Sequence, residues 1–415
     1  MASLAWRFDE RELRYVKEVL DSGFASGTSG SMNGRLERAF AERFGVRHAI
    51  TFNSGTTTLH AALWALGVRP GDEVITTPLT VISCMNAILY CQAIPVFADV
   101  DPDTFLMDPD DVERKITDRT RALLPVHLYG QVCDMDRIMD IARRHGLGVV
   151  EDCAQCFLGT YRGRIAGTIG DVGSWSFENS KHLTTGDGGI VGCNDTELAR
   201  RIRCVATQGF RNATADSGRV RLDREIFQDP SYKRHSAFGF MYRLPEVAAA
   251  VGLGQLEKLD WFSEKRQQMA SMYRRVIEQC PLFVPQKAWP GERHAYWTYA
   301  VRFVAQDMAW KDFRRAYVDN GGDGIYAAWT LSYLEDSIPD VRDYLRRLGL
   351  EERFQTQPGV CPNAERIQPQ LMQFTTNQSD EAAMAAQVRA LEATIAQFTE
   401  ARGRAEVQPS GSGGR

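Results

Sequence analysis

Over the first half of the chain, short apolar runs alternate with stretches whose apolar residues recur at helical spacing. The runs at His48–Phe52, Glu73–Thr77, Ile94–Ala98, Ala122–His127 and Gly148–Glu151 read as strands, and Thr57–Leu66 and Met135–His145 read as helices between them. Such alternation predicts a mostly parallel sheet wrapped by helices. Connections are short, and Arg69-Pro-Gly-Asp72 is a turn between a helix and the next strand. Beyond Lys181 the strand-like Gly189–Cys193 leads into a helix over Glu197–Val205. From Gln208 to His235 the pattern gives way to a polar stretch rich in Arg and Asp, which reads as a long functional or mobile loop. Helices at Pro245–Lys258 and Trp261–Gln279 follow, then a strand at Trp297–Val304 and helices at Lys311–Asn320 and Asp380–Ala401.

The fold class expected is therefore α/β, with a large domain over 1–279 and a smaller α+β domain over 280–402. Residues 403–415 end in Gly and Ser and are expected to be a disordered tail. No internal repeat is visible.

Composition narrows the class of function. The 415 residues include 49 Lys+Arg and 53 Asp+Glu, a net charge of −4, so no basic footprint for a nucleic-acid polymer exists at whole-chain level. Hydrophobic residues make up 44% and charged residues 25%, ordinary globular proportions. No apolar run is long enough for a membrane helix, and Asp9 and Glu10 come too early for an apolar signal core, so a cytoplasmic protein is expected. Nine dispersed cysteines fit reduced thiols rather than a disulfide framework. Cys153-Ala-Gln-Cys156 has a redox or zinc spacing, but no second Cys or His pair accompanies it, and no metal is expected.

Four segments carry candidate chemistry, the fourth being the polar loop from Gln208 to His235, a possible substrate grip. Thr51-Phe-Asn-Ser-Gly-Thr-Thr-Thr-Leu-His60 runs from a strand through small residues into a helix, where free N–H groups and hydroxyls suit a phosphate; a plain Ser/Thr helix cap is the competing reading. Val149-Val-Glu-Asp-Cys-Ala-Gln155 ends a strand in two carboxylates, and Asp152 there either holds a cationic ring nitrogen or caps the next turn. Gly173-Ser-Trp-Ser-Phe-Glu-Asn-Ser-Lys-His-Leu-Thr-Thr-Gly-Asp-Gly-Gly189 sets Lys181 before a glycine-rich turn, where a desolvated amine can form a Schiff base with a carbonyl; most lysines are surface groups. Together a phosphate cup, an acid for a pyridinium and a reactive lysine are what pyridoxal 5′-phosphate requires of a protein.

Several motifs carry a resemblance. They are Asn53-Ser-Gly-Thr56 with Leu59-His60-Ala61, Pro125-Val-His-Leu-Tyr-Gly130, Glu151-Asp152 with Ala154-Gln155, Ser176-Phe177 before Ser180-Lys181, and Thr184-Thr-Gly-Asp-Gly-Gly189. Leu36–Ala41 before Phe44-Gly45-Val46, and Tyr242-Arg243-Leu244, complete the set. In this order the chain resembles the DegT/StrS-type sugar aminotransferases, a branch of the fold-type I pyridoxal-phosphate enzymes. The resemblance implies a homodimer with its active site at the interface, Lys181 as the Schiff-base lysine and Asp152 as partner of the pyridine nitrogen. It implies Gln155 near the phenolic oxygen, and phosphate contacts from Gly55, Thr56 and Ser176. The implied reaction takes an amino group from an amino acid, Glu or Gln, and gives it to a keto-sugar, nucleotide-linked, or to a keto-cyclitol. Related dehydratases carry His where this chain has Lys181, which favours amine transfer.

Two positions depart from the family pattern. Val81 stands where an aromatic residue often stacks on the cofactor ring, and Met241 where an Asn reaches across the dimer to the phosphate. These departures keep open a non-catalytic binding or regulatory protein on the same fold. A nicotinamide oxidoreductase is disfavoured because no G-x-G-x-x-G follows the first strand. The loop cations Arg211, Arg219, Arg221, Arg224, Lys233 and Arg234 suit a diphosphate, although interleaved acids equally suit a solvated loop. Tyr232, Lys233 and His182 are the substrate-contact candidates.

Overall fold

The computed structural model describes residues 4–27, 30–218, 222–305 and 308–407, with side chains to 399. Arg219, Arg221 and the tail beyond residue 407 lie outside the described residues. A seven-stranded sheet forms the centre, in the spatial order 48–52, 189–193, 172–176, 148–152, 120–124, 73–76 and 94–97. Strand Gly189–Cys193 is antiparallel to both its neighbours, while the pairings among the other five adjacent strands are parallel. The sheet is covered on both faces, so its strands read as continuous apolar runs: His48–Phe52, Glu73–Thr76, Val172–Ser176 and Gly189–Cys193 are buried throughout.

The helices between strands owe their starts to side-chain caps. Ser54 caps Gly55–Ala65, Asp134 caps Met135–His145, and Asp195 caps Thr196–Ala206, each accepting a backbone N–H of the first turn. Gly146, at φ 65, closes Met135–His145 in the left-handed conformation. A buried ion pair, Arg203 to Glu37 at 3.0 Å, ties the helix Met32–Phe44 to the helix after the reversed strand.

A second sheet of four strands runs in the order 283–285, 298–303, 371–375 and 325–327, all antiparallel. Its core contains Phe283, Val301, Phe313, Tyr317, Met372 and Phe374. The helix Leu259–Ile277 joins the two cores: Leu259 packs in the first, and Met269, Tyr273 and Ile277 in the second. The segment around helix Ile338–Arg347 returns to the large core through Ile338 and Leu345. Chain order and packing therefore interleave, and we propose the division at 279/280 only as a division of sequence. The last helix, Glu381–Val407, carries the backbone past the end expected at Ala401. Among the described residues, no helix is long and apolar enough to cross a membrane.

Candidate active site

At the carboxyl rim of a parallel sheet, strand ends and helix starts face the same opening. Here a cavity of about 670 Å³ occupies that position and reaches to the second sheet. Gly55, Thr56, Val81, Asp152, Gln155, Ser176 and Lys181 all line it, so seven sequence candidates from four separate segments converge on one space.

Asp152 is the last residue of strand Gly148–Asp152 and is 7% exposed. One carboxylate oxygen accepts from Ala154 N–H at 2.9 Å, the other from the Cys84 thiol at 3.1 Å. Its neighbour Glu151 points to the opposite face, as alternation along a strand requires. There Glu151 accepts from His127 Nε2 at 2.9 Å and from the N–H groups of Gly167, Ile169 and Gly170, and His127 holds its carboxyl below the ordinary value against the effect of burial. The two adjacent acids thus separate: Glu151 fixes a turn behind the sheet, and Asp152 faces the cavity.

The helix Gly55–Ala65 aims its N-terminus into the same cavity, where its first-turn N–H groups and positive dipole end suit a phosphate. Thr56 Oγ1 donates to Ser83 Oγ at 3.0 Å. A Cβ at Gly55 would stand 2.7 Å from Cβ of Ser176, so glycine lets these two cavity walls meet. Gln155 accepts from Tyr129 N–H at 2.7 Å through its amide oxygen.

Lys181 lies in the loop between strands Val172–Ser176 and Gly189–Cys193 and is 7% exposed. Its Nζ sits 4.3 Å from the centroid of the Trp297 ring. Burial lowers its pKa, opposed by Glu178 and Asp152 and assisted by Arg266. A lysine so placed yields a neutral amine more readily than a surface lysine, which is the requirement for attack on a carbonyl. With an anion cradle, a carboxylate and a desolvated amine, the donor set fits a phosphorylated pyridine aldehyde.

Other candidates fall elsewhere. His182 is fully buried beside Phe157, with Nε2 on the Ala295 carbonyl at 2.9 Å; burial keeps it neutral, and it does not line the cavity. Tyr232 and Lys233 belong to a surface loop and do not line the cavity of this chain either, because the loop folds on itself: Lys233 gives its carbonyl to Arg211 Nε at 2.8 Å. Met241 is exposed and receives Arg243 Nε on its sulfur at 3.1 Å. The nine thiols are buried, and burial pushes those of Cys153 and Cys156 far up, which suits neither redox exchange nor metal binding. His127, Glu151 and Cys153 lie close enough to ligate an ion, but Glu151 is already saturated by four donors.

Several lining residues carried no motif: Leu4 and Trp6 from the N-terminus, Arg266, and Trp297, Tyr326 and Trp329 near the second sheet. Trp297 and Trp329 stack at 5.8 Å. Their signal in sequence is only an aromatic residue or arginine inside an apolar context.

The model of the DegT/DnrJ/EryC1/StrS aminotransferase family matches residues 7–326, over three quarters of the chain and including every cavity-lining candidate named above before Tyr326 except Leu4 and Trp6. The chain belongs to this family. The family's aminotransfer chemistry makes this member a transaminase, and its fold is that of the fold-type I enzymes. A relative named GDP-perosamine synthase, from Caulobacter vibrioides, is 42% identical over 299 residues, 71% of this chain and 75% of its own. A putative L-glutamine:3-amino-2,3-dideoxy-scyllo-inosose aminotransferase from Micromonospora echinospora is 41% identical over 286 residues, 68% of this chain and 64% of its own. The crystal structure of an aminotransferase from Psychrobacter cryohalolentis superposes with a TM-score of 0.83 at 30% identity, covering 94% of this chain and 98% of that one.

Proposed function

We propose that the chain is a pyridoxal-phosphate-dependent aminotransferase that moves an amino group from glutamate or glutamine to a keto-sugar, nucleotide-linked, in amino-sugar or natural-product biosynthesis. A keto-cyclitol acceptor is the second reading, favoured by the relative named for an aminocyclitol substrate. The observation that carries the proposal is the meeting of Lys181, Asp152 and the Gly55 helix terminus in one cavity.

In this reading the N-terminus of helix Gly55–Ala65, with Thr56 and Ser176, holds the cofactor phosphate, Asp152 keeps the ring nitrogen protonated, and Val81 and Gln155 border the ring. Bound there, the cofactor supplies an electron sink for the carbon that gains or loses the amine. Lys181 anchors the cofactor through its amine and, once released, carries the proton to and from the substrate carbon. Intact Lys181 and Asp152 argue against a non-catalytic role despite Val81 and Met241.

We also propose a homodimer in which the 208–235 loop, with Tyr232 and Lys233, reaches the partner's cavity. We further propose a cytoplasmic location, in accord with nine buried, unpaired cysteines.

The test is borohydride reduction of the protein loaded with pyridoxal phosphate, followed by peptide mass spectrometry. Label on Lys181 is expected, together with turnover of glutamate or glutamine against a GDP-linked keto-sugar or a keto-inositol. An unlabelled Lys181, or a Lys181→Ala protein with unchanged turnover, refutes the reading.

A further inference from the structure

The loop that bears Lys181 is gripped from behind. Four consecutive carbonyls, those of residues 179–182, accept hydrogen bonds from side chains that begin far away in sequence. Arg7 donates from one guanidinium nitrogen to the Asn179 carbonyl at 2.9 Å and from the other to the Lys181 and His182 carbonyls, each at 2.8 Å. The Ser180 carbonyl accepts from Trp297 Nε1 at 2.9 Å and from Arg266 at 3.3 Å.

Arg7 is 2% exposed and, among the described residues, has no carboxylate within ion-pair distance; its guanidinium packs 5.2 Å from the Phe262 ring centroid. Burial pulls its pKa down to about 10, with Glu178 acting in the opposite sense. A buried guanidinium without a direct ion pair is an expensive way to fill space, since an apolar side chain of similar volume avoids the desolvation cost. What it gains is a planar fork able to fix several acceptors at once.

Arg7 is itself fixed. Its carbonyl accepts from Gln255 at 2.8 Å and from Lys258 Nζ at 2.7 Å, and Lys258 also pairs with Glu12. The residues just before it, Leu4 and Trp6, line the cavity. The N-terminal segment is thus bonded on one side to helices of the body and on the other to the lysine loop.

We propose that Arg7 is a positioning residue for Lys181, which makes the N-terminal segment a working part of the amine-transfer site. By holding three carbonyls of the loop, it fixes where the lysine backbone sits and keeps water from entering behind it. The charged groups facing the amine are Glu178 and Asp152, which favour its protonated form, and Arg266, which opposes it. Since burial is the largest influence on that amine, a loosened loop admits water and moves its titration toward the ordinary lysine value.

The inference rests on the proposed role of Lys181, but its test needs no turnover. Cofactor-free wild type, Arg7→Met and Arg7→Lys are acylated with acetic anhydride across the alkaline range, and modification of Lys181 is read by mass spectrometry. Pyridoxal phosphate is then titrated against each by absorbance, and thermal unfolding is recorded. For Arg7→Met the labelling midpoint should rise by about one pH unit, and cofactor affinity should fall about tenfold or more; Arg7→Lys, a single-point donor, should lie between. Wild-type midpoint and affinity in both variants, with only the unfolding temperature lowered, would reduce Arg7 to a structural residue and overturn the proposal. Should Arg7→Met not fold, an unshifted Arg7→Lys overturns it alone. If wild type labels as expected yet transfers no amine, the functional reading falls and the positioning of Lys181 stands.

Discussion

Two irregular segments of this chain use the same chemical device in opposite surroundings. In the loop after Ser176, backbone carbonyls are held by the buried arginines Arg7 and Arg266. In the 208–235 loop, exposed arginines do the same: Arg211 grips the Lys233 carbonyl and Arg234 the Phe227 carbonyl, each at 2.8 Å. The short helix Arg224–Gln228 at its centre buries no residue. Water competes for the bonds of Arg211 and Arg234, which lie at the surface, and is kept from those of Arg7 to the Lys181 and His182 carbonyls, which are buried. A hydrogen bond is worth little when its partners can turn to solvent, and much when its loss leaves a buried group unsatisfied. The same contact thus contributes more to holding the lysine loop than to holding the surface turn around Arg211 and Arg234.

The largest test of that contrast is Lys181→Ala, which should lower turnover by about 10⁴-fold, measured as amine transfer from glutamate, with little change in far-ultraviolet circular dichroism. Arg266→Met should come next, because it removes a buried cation and one donor each from the Trp297 and Ser180 carbonyls, leaving them Thr376 Oγ1 and Trp297 Nε1. A loss of about 1–3 kcal/mol is expected in urea unfolding, and an unchanged midpoint would mean that the remaining donors suffice and burial adds nothing to this arginine's bonds. Gly55→Ala should weaken pyridoxal phosphate binding about tenfold, read by absorbance titration, as the new methyl forces Ser176 away from the helix terminus. Smallest of all, Arg211→Ala and Arg234→Ala should each change unfolding free energy by less than about 0.5 kcal/mol; a loss as large as that of Arg266→Met would erase the distinction between the loops.

The central sheet was legible because strand and helix periods alternate cleanly there: Met135–His145 begins and ends where its pattern does. The second sheet was mostly hidden, since Phe283–Pro285 and Ile325–Ala327 are too short to show a period. The helix Glu10–Asp21 buries Glu12 against Lys258, a charged residue where amphipathic spacing asks for an apolar one. The cavity's motif-bearing half could be read because Gly55 opens the helix just after a strand, Asp152 ends a strand, and Lys181 follows a strand in a loop that runs into Gly-Asp-Gly-Gly. Trp6, Arg266 and Trp297 come from remote segments, and Arg266 sits among charged helix residues that read as a solvent face. Only tertiary packing tells which arginine of that helix turns inward.

The reversed strand has one further consequence. Because Gly189–Cys193 runs against Val172–Ser176, Ser176 pairs with Gly189, and Glu178 bridges Gly186 within the same excursion. The lysine therefore rides on a ring of backbone closed by the sheet itself. In folding terms the ring is completed by a hairpin between strands adjacent in sequence, the least demanding closure a sheet offers. The reactive segment can take shape before the distant N-terminus arrives to lock it.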